Sequence, residues 1–291
     1  MSAEDAFVAH RGLLFTVAYE MLGSAADAED VVQETWLRWD GLESTEDVRD
    51  ERAYLVQIVT RQALNRLRMM ARRREDYVGD WLPEPLLTHP DVAEDIELAE
   101  SVSFALLTVL ETLGPVERAV FVLREVFDVP YDEIATAVDK SPAAVRQIGH
   151  RAREHVAARR PRVQVTRSEQ REVVDRFSTA VTTGDVLGLL EVLAPDVVLI
   201  GDGGGLAPSI RRPVEGARKV AQMLANFARL APDAQVALLD LNGAPALRID
   251  AGQGGTTAIA FGFDGARIVR IYSVRNPHKL ERLDAVADLR R

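Results

Sequence analysis

Apolar residues recur at helical spacing from the start of the chain. Phe7, Leu14, Val17, Ala18 and Met21 share one stripe between Ala6 and Leu22, and Gly23-Ser24 ends the run. A second helix follows at once: Ala26-Asp27-Ala28-Glu29-Asp30 supplies acids where a helix N-terminus favours them, and Val31, Val32, Thr35, Trp36 and Trp39 continue the stripe. After the polar loop Gly41 to Asp50, the spacing predicts a third helix from about Glu51 to Arg74. Its buried side is Tyr54, Leu55, Ile58, Val59, Ala63, Leu64 and Leu67. Three such helices make a compact helical domain.

Residues 78–100 break the periodicity. Gly79, Pro83, Pro85 and Pro90 make this stretch an extended linker with aromatic anchors, and a domain boundary is placed here. Four helical segments follow: about Ser101 to Leu113, Pro115 to Phe127, Tyr131 to Val138, and Ser141 to Arg159. Ser141-Pro142 is an N-cap followed by proline at the first helical position. With the short turn Asp139-Lys140, the last two segments have the layout of a helix-turn-helix.

Beyond Arg160-Pro161-Arg162 the pattern changes to mixed α and β. Helices at about Arg167 to Thr183 and Val186 to Leu193 precede a strand at Val197 to Ile200. The glycine loop from Asp202 leads to a helix at Gly216 to Leu230. Strands near 235–241, 245–250, 256–263 and 267–274 are separated by Asn242-Gly243, Gly252 to Gly255 and Asp264-Gly265. Helices leading into a curved antiparallel sheet describe a small α+β cone.

Charge adds what hydrophobicity leaves out. The 291 residues carry a net charge of −10, but residues 1–165 hold 19 basic and 30 acidic side chains while residues 166–291 hold 16 and 15. In the first part the signs are segregated. Arg61 to Arg74 has six arginines and no acid, Lys140 to Arg162 has seven basic residues against Glu154 alone, and Glu75 to Glu100 has nine acids and no Lys or Arg. Two basic faces joined by an acidic connector favour a nucleic-acid partner despite the negative total. With no cysteine, disulfide scaffolds, thiolate metal sites and cysteine nucleophiles are excluded. No apolar run is long enough to span a bilayer, the start lacks the pattern of a signal peptide, and the expected compartment is the cytoplasm. The five histidines are scattered, so no metal and no cofactor is expected.

The basic helix beginning at Val145 packs Val145, Ile148, Ala152 and Val156 and turns Arg146, Gln147, His150 and Arg151 outward. Arginine pairs bidentately with guanine and glutamine with adenine, so this is the side-chain set of a major-groove helix. The other basic face carries Arg61, Arg66, Arg68 and Arg72 to Arg74 with Asn65 and Tyr54. It combines phosphate-binding charge with groups suited to an unstacked base, and by itself it reads equally as a charged helix end.

These segments carry a resemblance. Ala28-Glu-Asp-Val-Val-Gln-Glu-Thr-Trp-Leu-Arg-Trp resembles the segment by which sigma factors grip core RNA polymerase. Arg52-Ala-Tyr-Leu through Asn65-Arg-Leu-Arg resembles their −10 element region, and Pro142-Ala-Ala-Val-Arg through Arg151-Ala-Arg is similar to their −35 reading helix. The spacing fits the extracytoplasmic-function group. Tyr77-Val-Gly-Asp-Trp-Leu-Pro-Glu-Pro-Leu, Asp202-Gly-Gly-Gly and Asn276-Pro-His-Lys-Leu resemble the signatures of sigma-J-like factors with a fused SnoaL-like domain. Leu206 stands where that group usually has lysine, and His278 where it usually has aspartate.

The resemblance implies a multidomain fold: an all-α sigma region 2 bundle at 1–77, an acidic linker at 78–100, an all-α region 4 helix-turn-helix at 101–162, and an α+β SnoaL/NTF2-like cone at 166–291. It implies core-polymerase contacts by Glu29, Asp30, Gln33, Glu34 and Arg38; −10 DNA contacts by Tyr54, Arg61, Asn65, Arg68 and Arg72; and −35 contacts by Arg146, Gln147, His150, Arg151 and Arg153. Regulatory contacts fall to Trp81, Pro83, Asp202, Gly203, Gly204, Gly205, Asn276, Pro277, Lys279 and Leu280. The partners expected are core RNA polymerase and promoter DNA, with no membrane, no separate anti-sigma factor, and room for a small ligand in the cone. Non-catalytic regulation is expected, since Asp202, Asp250 and His278 have no partners identifiable from spacing. Two alternatives stand: a ligand-responsive helix-turn-helix regulator, or a SnoaL-like cyclase or hydrolase with an appended DNA-binding region.

Overall fold

The computed structural model describes residues 3–42, 48–75, 77–89, 92, 95–159 and 165–291, with the side chains of 71–75 and of 253 outside the description. The chain divides into two compact units. One is Met1–Asp76 with Leu107–Arg159 and Asp288–Arg291; the other is Tyr77–Leu106 with Arg160–Ala287.

In the first unit, α1 (Ala3–Leu22), α2 (Ala25–Asp40) and α3 (Glu51–Glu75) form a bundle. From Gly12 to Leu22 every residue of α1 is buried, as a helix apolar on most sides requires. Ser24 starts α2, its hydroxyl accepting the Asp27 N–H at 3.2 Å. Trp39 is fully buried and donates its indole N–H to the Ala3 carbonyl at 2.7 Å, while Trp36 packs on Phe7 with ring centroids 5.0 Å apart.

Chain order next brings β1 (Leu87–Thr88) and α4 (Ile96–Ser101), both in the second unit, and α5 (Phe104–Leu110), within which the boundary between units falls. One helix was expected from Ser101 to Leu113; Ser103 interrupts it, its hydroxyl accepting the Leu106 N–H at 3.2 Å as a fresh N-cap. The first unit resumes with α6 (Pro115–Phe121), which passes into a π-helical turn at Val122–Val126, so the helix expected to Phe127 loses its α-helical register early. α7 (Tyr131–Val138) ends at Asp139 in the left-handed region with φ 55°, and α8 (Pro142–Ala157) begins at the Ser141 cap, where the hydroxyl accepts the Ala144 N–H at 3.3 Å.

The second unit adds α9 (Arg167–Thr183), α10 (Val186–Val192), β2 (Leu193–Asp202), β3 (Val214–Glu215), α11 (Ala217–Ala225), α12 (Phe227–Leu230), β4 (Gln235–Leu241), β5 (Ala244–Asp250), β6 (Thr256–Asp264), β7 (Arg267–Val274), α13 (Pro277–Leu280) and β8 (Val286–Ala287). The sheet order is β3-β2-β7-β6-β5-β4-β1-β8; β2–β7 and β1–β8 are parallel and the other pairs antiparallel. The strand expected at Val197–Ile200 is longer at both ends, and the helix expected over Gly216–Leu230 breaks at Asn226.

Each face of this sheet carries its own core. Phe177 of α9 packs with Val197, Phe261, Phe263, Ile268 and Ile271 on the helical side. On the opposite side Leu82 and Phe104 join Leu241, Ala258, Tyr272, Val274 and Leu283. The Pro-rich segment is therefore built into the cone: Leu82 and Leu86 are buried, and β1 pairs with β4 through Leu87 and Leu241. Its lack of periodicity reflects this role, since it packs apolar side chains singly and not along a helical stripe.

Candidate promoter interface and linker dock

The five polymerase-facing candidates lie on α2. Asp30, Gln33 and Arg38 are exposed, Glu29 and Glu34 half-buried. Their acids are gathered by cations from other helices. Arg11 donates to Glu29 at 2.6 Å, and Arg66 of α3 reaches Asp27 at 2.8 Å, Asp30 at 3.2 Å and Glu34 at 2.9 Å. Burial works against the Arg66 charge, but the bonds and charge of Asp27, with those of Asp30 and Glu34, outweigh it and raise the Arg66 pKa. Arg66 thus orders the α2 face and is not part of the second basic face it was grouped with.

Among the −10 candidates, Tyr54 is half-buried against Trp39, with ring centroids 5.9 Å apart. Arg61, Asn65 and Arg68 are exposed along α3 at turn spacing, and Oδ1 of the Asn65 side chain accepts from Arg68 at 3.3 Å. The side chain of Arg72 lies outside the described residues. Arg61 donates to the Thr136 carbonyl oxygen at 2.9 Å, and a cleft of about 160 Å³ lies between α3 and α7, lined by Val56, Gln57, Ile134 and Thr136 among others. One of the −10 candidates is therefore bonded to the first helix of the helix-turn-helix.

α8 buries Val145, Ile148, Gly149, Ala152 and Val156 and leaves Arg146, Gln147, His150 and Arg151 exposed. Arg153 is tied back to Glu125 of the π turn at 3.2 Å, so the other four make the projecting set.

The regulatory candidates converge in the second unit on Asp202, which is fully buried at the end of β2. Its Oδ1 accepts from the Tyr77 hydroxyl at 2.6 Å and the Gly204 N–H at 3.0 Å; its Oδ2 accepts from the Leu82 N–H at 2.9 Å and Lys279 Nζ at 2.7 Å. Lys279, itself buried, also donates to the Leu82 carbonyl and lies 3.3 Å from the centroid of the Trp81 ring. Asn276 donates to the Tyr77 oxygen at 2.8 Å. Burial, and then Asp202, push the Tyr77 phenol well above its usual range; burial and the Asp202 charge also raise Asp80.

The glycines are required by this crowding. A Cβ at Gly203 would lie 2.3 Å from the Ala207 carbonyl oxygen, and one at Gly204, where φ is +58°, would lie 2.2 Å from the Asn276 amide nitrogen. Pro83 follows the docked Leu82 in sequence, and Pro277 and Leu280 bound α13, which presents Lys279. Leu206 and His278 are exposed, so the two departures from the sigma-J-like pattern fall outside this cluster. Asp250 belongs to a different set: Thr256 holds it at 2.7 Å and Arg248 at 2.8 Å, and those bonds, the threonine's first, lower its pKa. His278 pairs with Glu281 at 3.0 Å. The three catalytic candidates thus have separate partners.

Comparison with known proteins decides the family. Residues 6–74 match the model for Sigma-70 region 2, and residues 103–156 the model for Sigma-70, region 4. The ECF RNA polymerase sigma factor SigJ of Mycobacterium tuberculosis is 41% identical over 222 residues, spanning 75% of this chain and 70% of that protein. The chain belongs to the ECF sigma factors. The probable ECF sigma factor SigI of the same organism is 37% identical over 196 residues, 66% of this chain and 67% of that protein. The crystal structure of M. tuberculosis SigJ superposes with a TM-score of 0.77 at 33% identity, covering 94% of this chain and 96% of that one.

This sigma factor directs transcription initiation, and its helical sigma domains are followed by an α+β cone built on a mixed eight-stranded sheet. Among its described residues no helix is long and apolar enough to cross a membrane. Three features escaped the sequence. Asn242 looked like a hairpin turn residue, yet it also binds the linker backbone. Arg118 carries no mark in the sequence, yet it is buried and donates to the Glu20 carbonyl at 2.9 Å and to Glu111 at 2.7 Å. The C-terminal residues carried no motif, yet the Arg290 N–H donates to the Thr16 hydroxyl at 3.0 Å.

Proposed function

We propose that this sigma factor binds core RNA polymerase through Glu29, Asp30, Gln33, Glu34 and Arg38, reads the −10 element with Tyr54, Arg61, Asn65, Arg68 and Arg72, and reads the −35 element with Arg146, Gln147, His150, Arg151 and Arg153. Its cone restrains it from within the chain. The domain bounds of this reading are 1–77, 78–100, 101–162 and 166–291.

The restraint acts through the linker. Free, the segment Tyr77–Leu106 could span about 100 Å. Docked on Asp202, Asn242 and Lys279, it has no such reach. The observation that carries the reading is the 2.9 Å bond from Arg61 to the Thr136 carbonyl, which engages a −10 candidate with region 4. Releasing the linker frees region 2 and region 4 to separate and engage two promoter elements. Held this way, the factor needs no separate anti-sigma protein. It works in the cytoplasm, where polymerase and promoters are.

The cone regulates without turnover. Its helical-side interior is occupied by Phe177, Phe261 and Phe263, and its buried carboxylate is spent on holding the linker. This favours a mechanical role over an enzyme's and over a small ligand inside the cone.

Run-off transcription with core polymerase lacking other sigma factors tests the proposal. The template is the region upstream of the protein's own gene. The forms compared are the full chain, a truncation after Val165, and Asp202→Asn. Specific transcripts from the full chain, changed in amount by both alterations, are expected. Equal output from all three forms would defeat the regulatory reading, and failure of every form to engage core polymerase would defeat the site assignments.

A further inference from the structure

The cone carries a charged surface that the linker dock does not use. Between Asp202 and Asp233 the sequence has five basic residues and a single acid, Glu215, in a chain whose total is −10. Arg211, Arg212, Arg218 and Lys219 lie there within nine residues, and all four are exposed. They flank β3, the edge strand that pairs antiparallel with β2 through Val198 and Glu215. The two pairs are thus held on either side of a fixed strand.

Folding does not account for these cations. Most arginines of the cone are tied down: Arg167 to Asp240 at 2.8 Å, Arg176 to Glu191 at 2.9 Å, Arg248 to Asp250, and Arg267 to the Leu193 carbonyl at 3.1 Å. None of the four has an ion-pair partner among the described residues. Arg218 and Lys219 also sit in the first turn of α11, the end where a helix disfavours positive charge by a few tenths of a kcal/mol or more per residue.

We propose that Arg211, Arg212, Arg218 and Lys219 form a phosphate-contacting surface through which the cone touches duplex DNA, independently of base sequence. Arginine predominates, and its planar fork matches phosphate oxygens. Exposed cations contribute little singly, but in one chain with two promoter-reading domains they meet DNA at high effective concentration, so weak contacts add to retention. In an otherwise acidic chain such patches are where a polyanion can approach. The inference rests on the reading that the chain itself binds promoter DNA, and it gives the cone a positive part in holding the promoter.

The test is the salt dependence of binding by the full chain to a random-sequence duplex and to its promoter, comparing the native chain with Arg211→Ala/Arg212→Ala/Arg218→Ala/Lys219→Ala. Each lost phosphate contact lowers the log–log salt slope by about 0.9, so a drop of about 3 to 4 is expected on both DNAs. Replacing the three arginines with lysine should restore most of the slope. Arg146→Ala, in region 4, should weaken the promoter preferentially. An unchanged slope in a quadruple variant with the native melting curve overturns the proposal. So does a variant that loses affinity for core polymerase or for anionic lipid vesicles while binding DNA normally. Failure to bind either DNA both by the native chain and by its linker-released Asp202→Asn form overturns the underlying reading as well.

Discussion

Asn242 meets Leu86 as a strand partner would: its backbone N–H donates to the Leu86 carbonyl at 2.9 Å, and the Leu86 N–H donates to its side-chain oxygen at 3.0 Å. The same side chain donates to the Val102 carbonyl at 2.9 Å, so one hairpin tip holds the linker at two points sixteen residues apart in sequence. Asn242 is fully buried with φ at 54°, a conformation asparagine tolerates better than most residues.

Asn242→Ala should therefore be among the costlier substitutions in the second unit. It strands two buried backbone groups, at about 1 to 3 kcal/mol each, and adds strain at a positive φ. Chemical denaturation should show a loss of about 3 kcal/mol or more, with Asn242→Gly relieving only the strain. A loss below 1 kcal/mol would mean that the linker is not held here.

Lys279 and Asp202 should be strongly coupled. Removing either partner leaves a buried charge uncompensated, a loss of about 3 to 5 kcal/mol, whereas removing both leaves none. Asp202→Asn and Lys279→Met should each destabilise strongly, and the double variant by much less than their sum. Additive losses in the double-mutant cycle would show that the pair is not a unit.

Asp80 should weigh against the fold at neutral pH. Its folded pKa is raised above the ordinary 3.8 by burial and then by Asp202. What it contributes is present below the unfolded value and lost as pH rises through the folded one. Asp80→Asn should raise the melting temperature at pH 7, and the gain should shrink as pH approaches 4. A gain that is constant with pH would assign the effect to something other than ionisation. Tyr77 follows the same sign at the alkaline end, its raised phenol keeping its contribution until pH exceeds the usual 10.

Gly12 should report the C-terminal strap. A Cβ at this mid-helix position would lie 3.1 Å from Cγ of Arg290 and 3.2 Å from the Asp288 carboxylate, close beside the Arg290–Thr16 bond. Gly12→Ala should change stability little: alanine gains about 1 kcal/mol of helix propensity, and the exposed Arg290 side chain can give way. Gly12→Leu should displace the strap, and limited proteolysis should then trim the C-terminus faster. Unchanged trimming would show that the strap does not seat on α1.

Most of the elements were legible because their periods are regular. The heptad-like stripes of α1 to α3, the Ser141-Pro142 start of α8, and the strands set off by Asn242-Gly243 and Asp264-Gly265 all declare themselves locally. Asp202, Lys279 and Asn276 were found through a family motif, but their chemistry was not. That a buried aspartate takes the Leu82 N–H depends on residues 120 positions apart. The linker failed to show its role for the same reason, since β1 is two residues long and its partners come from β4 and β8. The π turn has no sequence mark of its own, and Arg66 is indistinguishable from its neighbours until α2 is placed beside it.

The most direct test is a distance. The chain has no cysteine, so Met69→Cys on α3 and Ala143→Cys on α8 give two labels on exposed positions of the first unit without further changes. Spin-label distance distributions are then compared in the full chain, with Asp202 and Asn242 intact or replaced by Asn and Ala. With the linker docked, a single narrow distribution is predicted, giving way to a longer and broader one in the variant. The same distribution in both would contradict the claim that the docked linker keeps the two sigma domains together.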